Sequence, residues 1–513
     1  MTEQDKTYEA TLTGPDQGNP YRDIWLKADF TNDTEQFSVN GFYCGGGIYK
    51  IRFMPMRPGR WKAVTHSNAP ALDQVELVCD CVPAEEGNHG RVLTESQVSP
   101  GGDFPGQNDE RRFRFAYEDG TSFLPFGTTC YAWIYQPEEI QEQTLATLKD
   151  SGFNKVRMCI FPKFYTYNME DPRLAPFEGN AAEGFDFTRF CTAFWNNLER
   201  RIEQLDQLGI QADLILFHPY DKWGFSRMSP KTDIFYLKYA VDRLCHFKNV
   251  WWSLANEFDL MPWKTEEDWE QYARTVTGRD PYGHLRSIHN CLTFYDHTRD
   301  WITHASIQRV DVYRTAENVT QWRQQYQKPI VVDECAYEGN INFGWGNITG
   351  EEMVRRFWEG CIRGGYLSHG EVYVQYPQIW WSHGGTLHGT APERIAFLKK
   401  IMEEAPVDAA PLALTPQNHL DNWDVPCMCT DDGSWFLYYF GFMRPAFRTW
   451  KLPEGGVYEI ERIDTWEMTV EKLPGTYSGS IRIDLPGRQY IAVRIKRAGT
   501  IKGADSPQPA HRM

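Results

Sequence analysis

The chain has 513 residues, 69 acidic against 53 basic, and a formal charge of −16 at neutral pH. That length exceeds one ordinary hydrophobic core and calls for two or three domains. The acidic balance argues against nucleic acid as a partner, since phosphate binding needs clustered Lys and Arg, and no run approaches the roughly 18 apolar residues of a membrane span. The start, Met1-Thr2-Glu3-Gln4-Asp5-Lys6, lacks the basic and apolar regions of a secretory signal, so a cytoplasmic location is expected. Cysteines are scattered singly except for Cys79/Cys81 and Cys427/Cys429. Neither pair has further ligands at a zinc-like spacing, so buried free thiols and no metal or other cofactor are expected.

In chain order, residues 1–105 read as a β-sandwich. Asp23–Phe30, Tyr49–Pro55 and Gly59–Thr65 are strand-like runs separated by Gly and Pro turns. From 106 to 402 strands alternate with amphipathic helices, which predicts a (β/α)8 TIM barrel. The expected strands are Phe123–Gly127, Asn154–Ile160, Ala212–Phe217, Val250–Ala255, Leu285–Asn290, Trp301–Ser306, Pro329–Asp333 and Gly365–His369. Helices are expected over 138–150, 190–208, 234–247, 313–326 and 351–362, with Gly209 closing the second. Residues 403–513 return to strands, a C-terminal β-sandwich-like domain, and the last dozen, rich in Ser, Pro, Gly and Ala, read as a loose tail.

The segment Val250-Trp251-Trp252-Ser253-Leu254-Ala255-Asn256-Glu257 is a buried strand that ends on a carboxylate. Pro329-Ile330-Val331-Val332-Asp333-Glu334 has the same form. Barrels carry their chemistry at the C-terminal rim of the strands. Two rim glutamates on the fourth and seventh strands would face each other across the mouth, as glycosidic bond hydrolysis requires. Glu257 is read as acid/base and Glu334 as nucleophile; the bland alternative makes both ion-pair partners of rim arginines.

His218, His289 and His369 fall near strand ends and are candidates for sugar-hydroxyl contacts. No His-x-His or His-Glu-x-x-His spacing makes them a metal site. Trp133, Trp223, Trp380 and Trp381 lie in loops after strands one, three and eight, where an exposed Trp can stack on a sugar ring; packing between domains is the competing reading. Gln308 and Glu338 are weaker candidates for hydroxyl contacts.

Ala255-Asn256-Glu257 with Asp333-Glu334 resembles glycoside hydrolase clan A, the retaining barrel glycosidases. The nearer resemblance is to glycosidases with an apiosidase-like barrel between two β-domains. Gly41-Phe42-Tyr43, Tyr49–Pro55 and Gly59-Arg60-Trp61 are similar to their N-terminal sandwich. Gly127–Trp133 is similar to their first-strand motif, with Thr128 where an Asp is usual, and Trp380–Gly389 to their barrel-to-C-terminal link. The resemblance implies retention through a covalent glycosyl-enzyme. Glu257 then starts protonated, its pKa raised by burial and by its partner, and Glu334 ionised. Asn256 contacts the sugar 2-hydroxyl beside the nucleophile, and Arg157 holds Glu334 charged and oriented.

The expected substrate is an oligosaccharide or glycoside with a β-type or equivalent furanosidic bond, attacked at a chain end because long aromatic loops could close a pocket. The alternatives are an endo-acting cleft enzyme of the same clan, an inverting or lytic enzyme, and a non-catalytic carbohydrate-binding protein. A homo-oligomer is allowed for, since paired β-domains often supply subunit contacts.

Overall fold

The computed structural model describes residues 1–98, 110–308, 314–375, 378–412 and 425–500. Its centre is an eight-stranded parallel sheet rolled into a nearly closed barrel. The strands are β1 (Phe126–Thr129), β2 (Lys155–Cys159), β3 (Gln211–Ile215), β4 (Val250–Ser253), β5 (Arg286–Ser287), β6 (Ala305–Gln308), β7 (Ile330–Glu334) and β8 (Tyr366–His369). They neighbour one another in the order β5-β4-β3-β2-β1-β8-β7-β6. An isolated bridge from His289 to Ser306 draws β5 and β6 together.

Helices α1 (Glu138–Asp150), α2 (Thr192–Gln207), α3 (Pro230–Leu244), α4 (Glu266–Arg279), α5 (Val319–Tyr326), α6 (Gly350–Ile362) and α7 (Ala391–Glu403) wrap the barrel. α3 starts four residues before its expected position, because Ser229 accepts from the Thr232 amide as N-cap and Pro230 takes the first turn. α4, not foreseen, opens on a reciprocal Thr265/Asp268 capping box. Tyr313, the expected start of α5, lies outside the described residues.

The barrel's filling explains both its register and its chemistry. At the bottom, Trp251, Leu285, Val331 and Tyr366 form an apolar layer with Val92, Phe115 and Phe123. The last three belong to a small sheet of Val92–Thr94, Phe115–Tyr117 and Ser122–Phe123, which plugs the barrel. Phe123 was expected in the first barrel strand; the plug claims it, and β1 begins at Phe126 instead.

Above that layer the interior is charged. Alternation along β2 turns Lys155 and Arg157 to the same side. Lys155 Nζ lies 2.7 Å from both Asp213 Oδ2 and Asp333 Oδ1, and Arg157 Nη1 3.3 Å from Asp213 Oδ2; all four side chains are fully buried. Ser306 and Ser368 hydroxyls donate to Asp333. Burial alone would raise Asp333, but Lys155 and Arg157 overcome it and hold its carboxyl well below the usual range. Asp333→Ala strands two buried cations on one carboxylate, and urea denaturation should register a loss of about 3–5 kcal/mol.

The N-terminal region forms two sheets, one of five strands and one of three. Phe30, Phe53 and Trp61 pack in its core. It is tied to the barrel where the Arg52 guanidinium donates to both oxygens of Glu199, at 2.6 and 3.0 Å. The C-terminal region has a six-stranded sheet and a pair of strands around an apolar core. The expected bound at 105/106 lies outside the described residues. The one at 402/403 falls in the last turn of α7. Cys79, Cys81 and Cys427 are buried free thiols and Cys429 is buried as well, and among the described residues no helix is long and apolar enough to cross a membrane.

Candidate active site

Glu257 follows β4 with φ at 51°, in the left-handed region that a non-glycine residue rarely adopts. Three backbone bonds hold it there: Asn256 N–H to Phe217 O at 2.9 Å, Phe258 N–H to His289 O at 3.0 Å, and Leu260 N–H to Glu257 O at 3.0 Å. Such a conformation costs on the order of 1–3 kcal/mol and persists where the surroundings over-determine it. Here it ends β4 in a tight turn and sets the carboxylate at the rim.

Glu334 is the last residue of β7. A register shift between Ile307 and Gln308 puts Gln308 directly opposite it, and bulges of this kind re-aim side chains. With its amide nitrogen facing the carboxylates, Gln308 donates to Glu257 Oε1 at 3.3 Å and to Glu334 Oε2 at 2.9 Å. One nitrogen therefore bridges both glutamates. These two oxygens can be no further apart than the two bonds laid end to end.

Asn256 is fixed from two sides. Its Oδ1 accepts from Arg157 Nη2 at 3.1 Å and from the Tyr131 hydroxyl at 3.2 Å, which leaves Nδ2 to donate to Glu257 Oε2 at 3.1 Å. Arg157 thus orients the rim through Asn256, with Ser253, Asp213 and, as an ion pair at 3.7 Å, Asp333 as its other partners. It was expected to hold Glu334 charged and oriented. It acts on that carboxylate as a nearby charge that favours the ionised form, while the Tyr131 hydroxyl donates to Glu334 Oε1.

Lys163, in the loop after β2, is buried, and its ammonium lies over the rings of Tyr131 (3.5 Å), Tyr220 (4.5 Å), Tyr165 (4.9 Å) and Trp381 (5.3 Å). Burial lowers its pKa, while Cys159 and both glutamates raise it. Tyr220 faces Glu257: burial first, then that carboxyl, push its phenol up. Tyr337 stands likewise against Glu334. Sequence reading missed Tyr131, Lys163, Tyr220 and Tyr337.

Burial and the adjacent Glu257 push the Glu334 carboxyl up to about 7, against the opposing pull of Lys163, Tyr131 and Arg157. The raised carboxyl was expected on strand four; the one that burial raises is on strand seven. The two acids are packed too closely for both to ionise freely, and the proton belongs to the pair. Substituting Lys163 by Met removes a cation that favours the ionised form. Glu334 should then rise further, and the alkaline limb of kcat/KM should move to higher pH with a lower kcat, measurable in a pH–rate profile.

The other expected residues divide between rim and interior. Trp381 reaches the rim, its ring centroid 5.9 Å from that of Tyr131 and 5.8 Å from that of Tyr337. His218 lies under Lys163; burial, then that cation, bring it down to about 3. Its Nε2 donates to Phe161 O at 3.1 Å, so the neutral ring presents Nδ1 as an acceptor. Trp223 is partly exposed and donates to Asp171 at 3.0 Å, away from the pair.

Trp133 does not form a pocket wall: it is fully buried, its indole donating to Met158 Sδ at 3.2 Å. Trp380 donates to Thr128 Oγ1 at 2.8 Å, and His369 lies 3.1 Å from the same hydroxyl, stacked on Phe153. Ser368 points into the barrel toward Asp333, so strand alternation turns its neighbour His369 outward. His289 is wholly buried near Arg157 and Asp333, out of a sugar's reach.

Glu338 accepts from the Thr390 and Ala391 amides at 2.7 and 3.0 Å, capping α7. Among the described residues, Glu338, His369 and Glu371 bring potential metal-ligand atoms within 4.8 Å of one another. Both carboxylates are engaged by backbone donors, Glu371 by His388 and Gly389, which is the role of structural caps.

A (β/α)8 barrel with a buried glutamate pair at its C-terminal rim has the architecture of a barrel glycoside hydrolase. The chain belongs to the apiosidase-like family: the model described as Apiosidase-like, catalytic domain, matches residues 108–408, and the protein is a glycoside hydrolase. Two models described as domains of unknown function, DUF5060 and DUF5605, match residues 2–68 and 423–496. A candidate glycoside hydrolase of known crystal structure from Bacteroides vulgatus ATCC 8482 is 36% identical, covers 97% of this chain and 99% of its own, and superposes with a TM-score of 0.88. A glycoside hydrolase family 5 structure from the same organism, 16% identical over 83% of this chain and 96% of its own, shares the fold with a TM-score of 0.58. No curated protein matches.

Proposed function

We propose that the protein hydrolyses a β-type or equivalent furanosidic bond of an oligosaccharide with net retention, Glu257 acting as acid/base and Glu334 as nucleophile. The observation that carries this reading is the single Gln308 nitrogen donating to both glutamates. Carboxyl groups about 5–5.5 Å apart serve retention, whereas inversion needs roughly 6.5–9.5 Å to admit a water. The two oxygens that share this nitrogen lie nearer each other than the separation inversion needs, which supports retention.

Glu334 attacks the anomeric carbon while Glu257 gives its proton to the leaving oxygen. The glycosyl–Glu334 ester then yields to a water that Glu257, now the base, deprotonates. Gln308 and Asn256 direct hydrogen bonds at the two carboxylates. Lys163 and Tyr131 favour the ionised form of Glu334. A leaving oxygen that accepts from Glu257 draws the shared proton to strand four and leaves Glu334 as the anion.

Glu257 and Glu334 are 5% and 9% exposed. Carboxyls so recessed favour attack on a terminal residue over a cleft enzyme working along a chain. The Glu334 carboxyl keeps its proton up to about pH 7. Activity should therefore fall as pH rises through that value, since no acid is left for the leaving oxygen.

A panel of aryl glycosides (gluco-, galacto-, xylo-, arabino- and apiosides) identifies a working substrate, and proton NMR of the first-formed product reads its anomer. The reading expects the substrate's own configuration. The opposite anomer contradicts it.

A further inference from the structure

Away from the barrel mouth, a groove of about 980 Å³ runs between the N-terminal sheets and helices α3 and α4. That volume is at the upper end of the ~300–1,000 Å³ usual for small-molecule sites. Its lining is unlike the rest of the molecule. The whole chain carries more acidic than basic residues, yet the groove is lined by Arg22, Lys27, Lys231, Lys238 and Arg279 against one carboxylate, Asp242. Asp242 is already paired with Arg279, and Lys27 shares Asp29 at 3.5 Å. Arg22, Lys231 and Lys238 are exposed and make no ion pair among the described residues. Lys231 and Lys238 stand seven apart on α3, two helical turns along one face.

The groove is also aromatic. Trp25 stands at its edge with 51% of its surface exposed, an unusual exposure for so large a ring. Phe187 and Phe235 line the wall on the barrel side. Flat apolar rings next to unpaired cations match a ligand with apolar ring faces and regularly spaced negative groups.

We infer that this groove is a second binding site, for an acidic oligosaccharide, and that it holds a charged glycan alongside the catalytic barrel. The cations read carboxylate or sulfate groups, and Trp25 with its neighbours takes the sugar faces. Screening confines these fields to within about 8 Å at physiological salt, so the acidic surface elsewhere does not cancel them. The inference uses the glycoside hydrolase class but not the roles of Glu257 and Glu334, and it can fail or stand separately from them.

The test is calorimetric titration of the full chain, in the Glu334→Gln background to prevent turnover. The probes are a galacturonate hexamer, a sulfated oligosaccharide of similar length and a neutral gluco-oligosaccharide. The uronate or the sulfated oligomer should bind, whichever spacing fits, and the neutral one at least tenfold more weakly. Lys231→Glu combined with Lys238→Glu, and separately Trp25→Ala, should each cut the acidic ligand's affinity about tenfold or more, the scale of a contact worth 1.4 kcal/mol. With Glu334 restored, the same groove variants should leave aryl glycoside turnover unchanged. The inference is overturned if no acidic oligomer binds, if the neutral one binds equally, or if the groove variants bind like their parent. It is also overturned if light scattering finds a dimer that the charge reversals dissociate, for the groove is then an interface between copies.

Discussion

Glu334→Gln is expected to lower kcat by roughly 10⁵-fold while leaving the fold intact, because the variant keeps the shape of the side chain and removes the oxygen anion that attacks in the proposed mechanism. Gln308 and Tyr131, which both donate to Glu334, meet a carbonyl oxygen or an amide nitrogen in its place. KM should change by a small factor beside kcat, since the lost interaction is made in the transition state. Thermal unfolding should show no destabilisation in the range where activity is assayed. Burial and Glu257 raise the Glu334 carboxyl, so its contribution to stability is present below the unfolded-state pKa and lost as pH rises through about 7. The amide does not titrate, and the variant should gain on the wild type above that pH. A non-catalytic carbohydrate-binding protein would show no change in kcat, having none.

Glu257→Ala should separate the two steps of the reaction. Glycosides with a poor leaving group lose the proton their oxygen needs and slow by roughly 10²–10⁴-fold. Dinitrophenyl glycosides, whose leaving group departs unprotonated, should still glycosylate Glu334 and then stall, because the base for the second step is gone. Azide needs no base. Added azide should restore turnover of the dinitrophenyl substrate and give a glycosyl azide of the substrate's own configuration. The left-handed φ at Glu257 adds a structural consequence: Ala tolerates that conformation no better than Glu does, so the strain remains and the variant's stability should stay near that of the wild type.

Much of this site could be read from the sequence, for a physical reason. β4 and β7 are buried on both faces, so their residues form unbroken apolar runs, and a carboxylate that ends such a run stands out. Asn256, Glu257, Gln308 and Glu334 all sit where strand ends converge. The first strand was harder. Gly127–Trp133 was read from the wrong start, because Phe123 resembles a barrel residue and is in fact part of the plug. With β1 ending at Thr129, Tyr131 meets Glu334, and Trp133 folds back into the core.

The adjacent Trp380 and Trp381 make the same point. In a one-turn helix, successive side chains diverge by about 100°, so one faces the rim and its neighbour faces Thr128. Lys163 left no pattern at all. A single Lys in the loop Phe161-Pro162-Lys163-Phe164-Tyr165 looks solvated, and only the tertiary arrangement of four rings around it makes it part of the site. Strand alternation at Ser368 and His369 turns the histidine away from the mouth, although it stands at the strand end.

The retaining role of Glu334 is tested most directly by trapping. A 2-fluoroglycoside with a good leaving group, of whichever sugar the aryl panel identifies, slows breakdown of the glycosyl-enzyme more than its formation and lets the ester accumulate. Peptide mass spectrometry after digestion should then find one glycosyl adduct per chain, on the peptide that contains Glu334 and on that residue. An adduct on Glu257, or no adduct while the parent glycoside is hydrolysed to the inverted anomer, would contradict the assignment of these two glutamates.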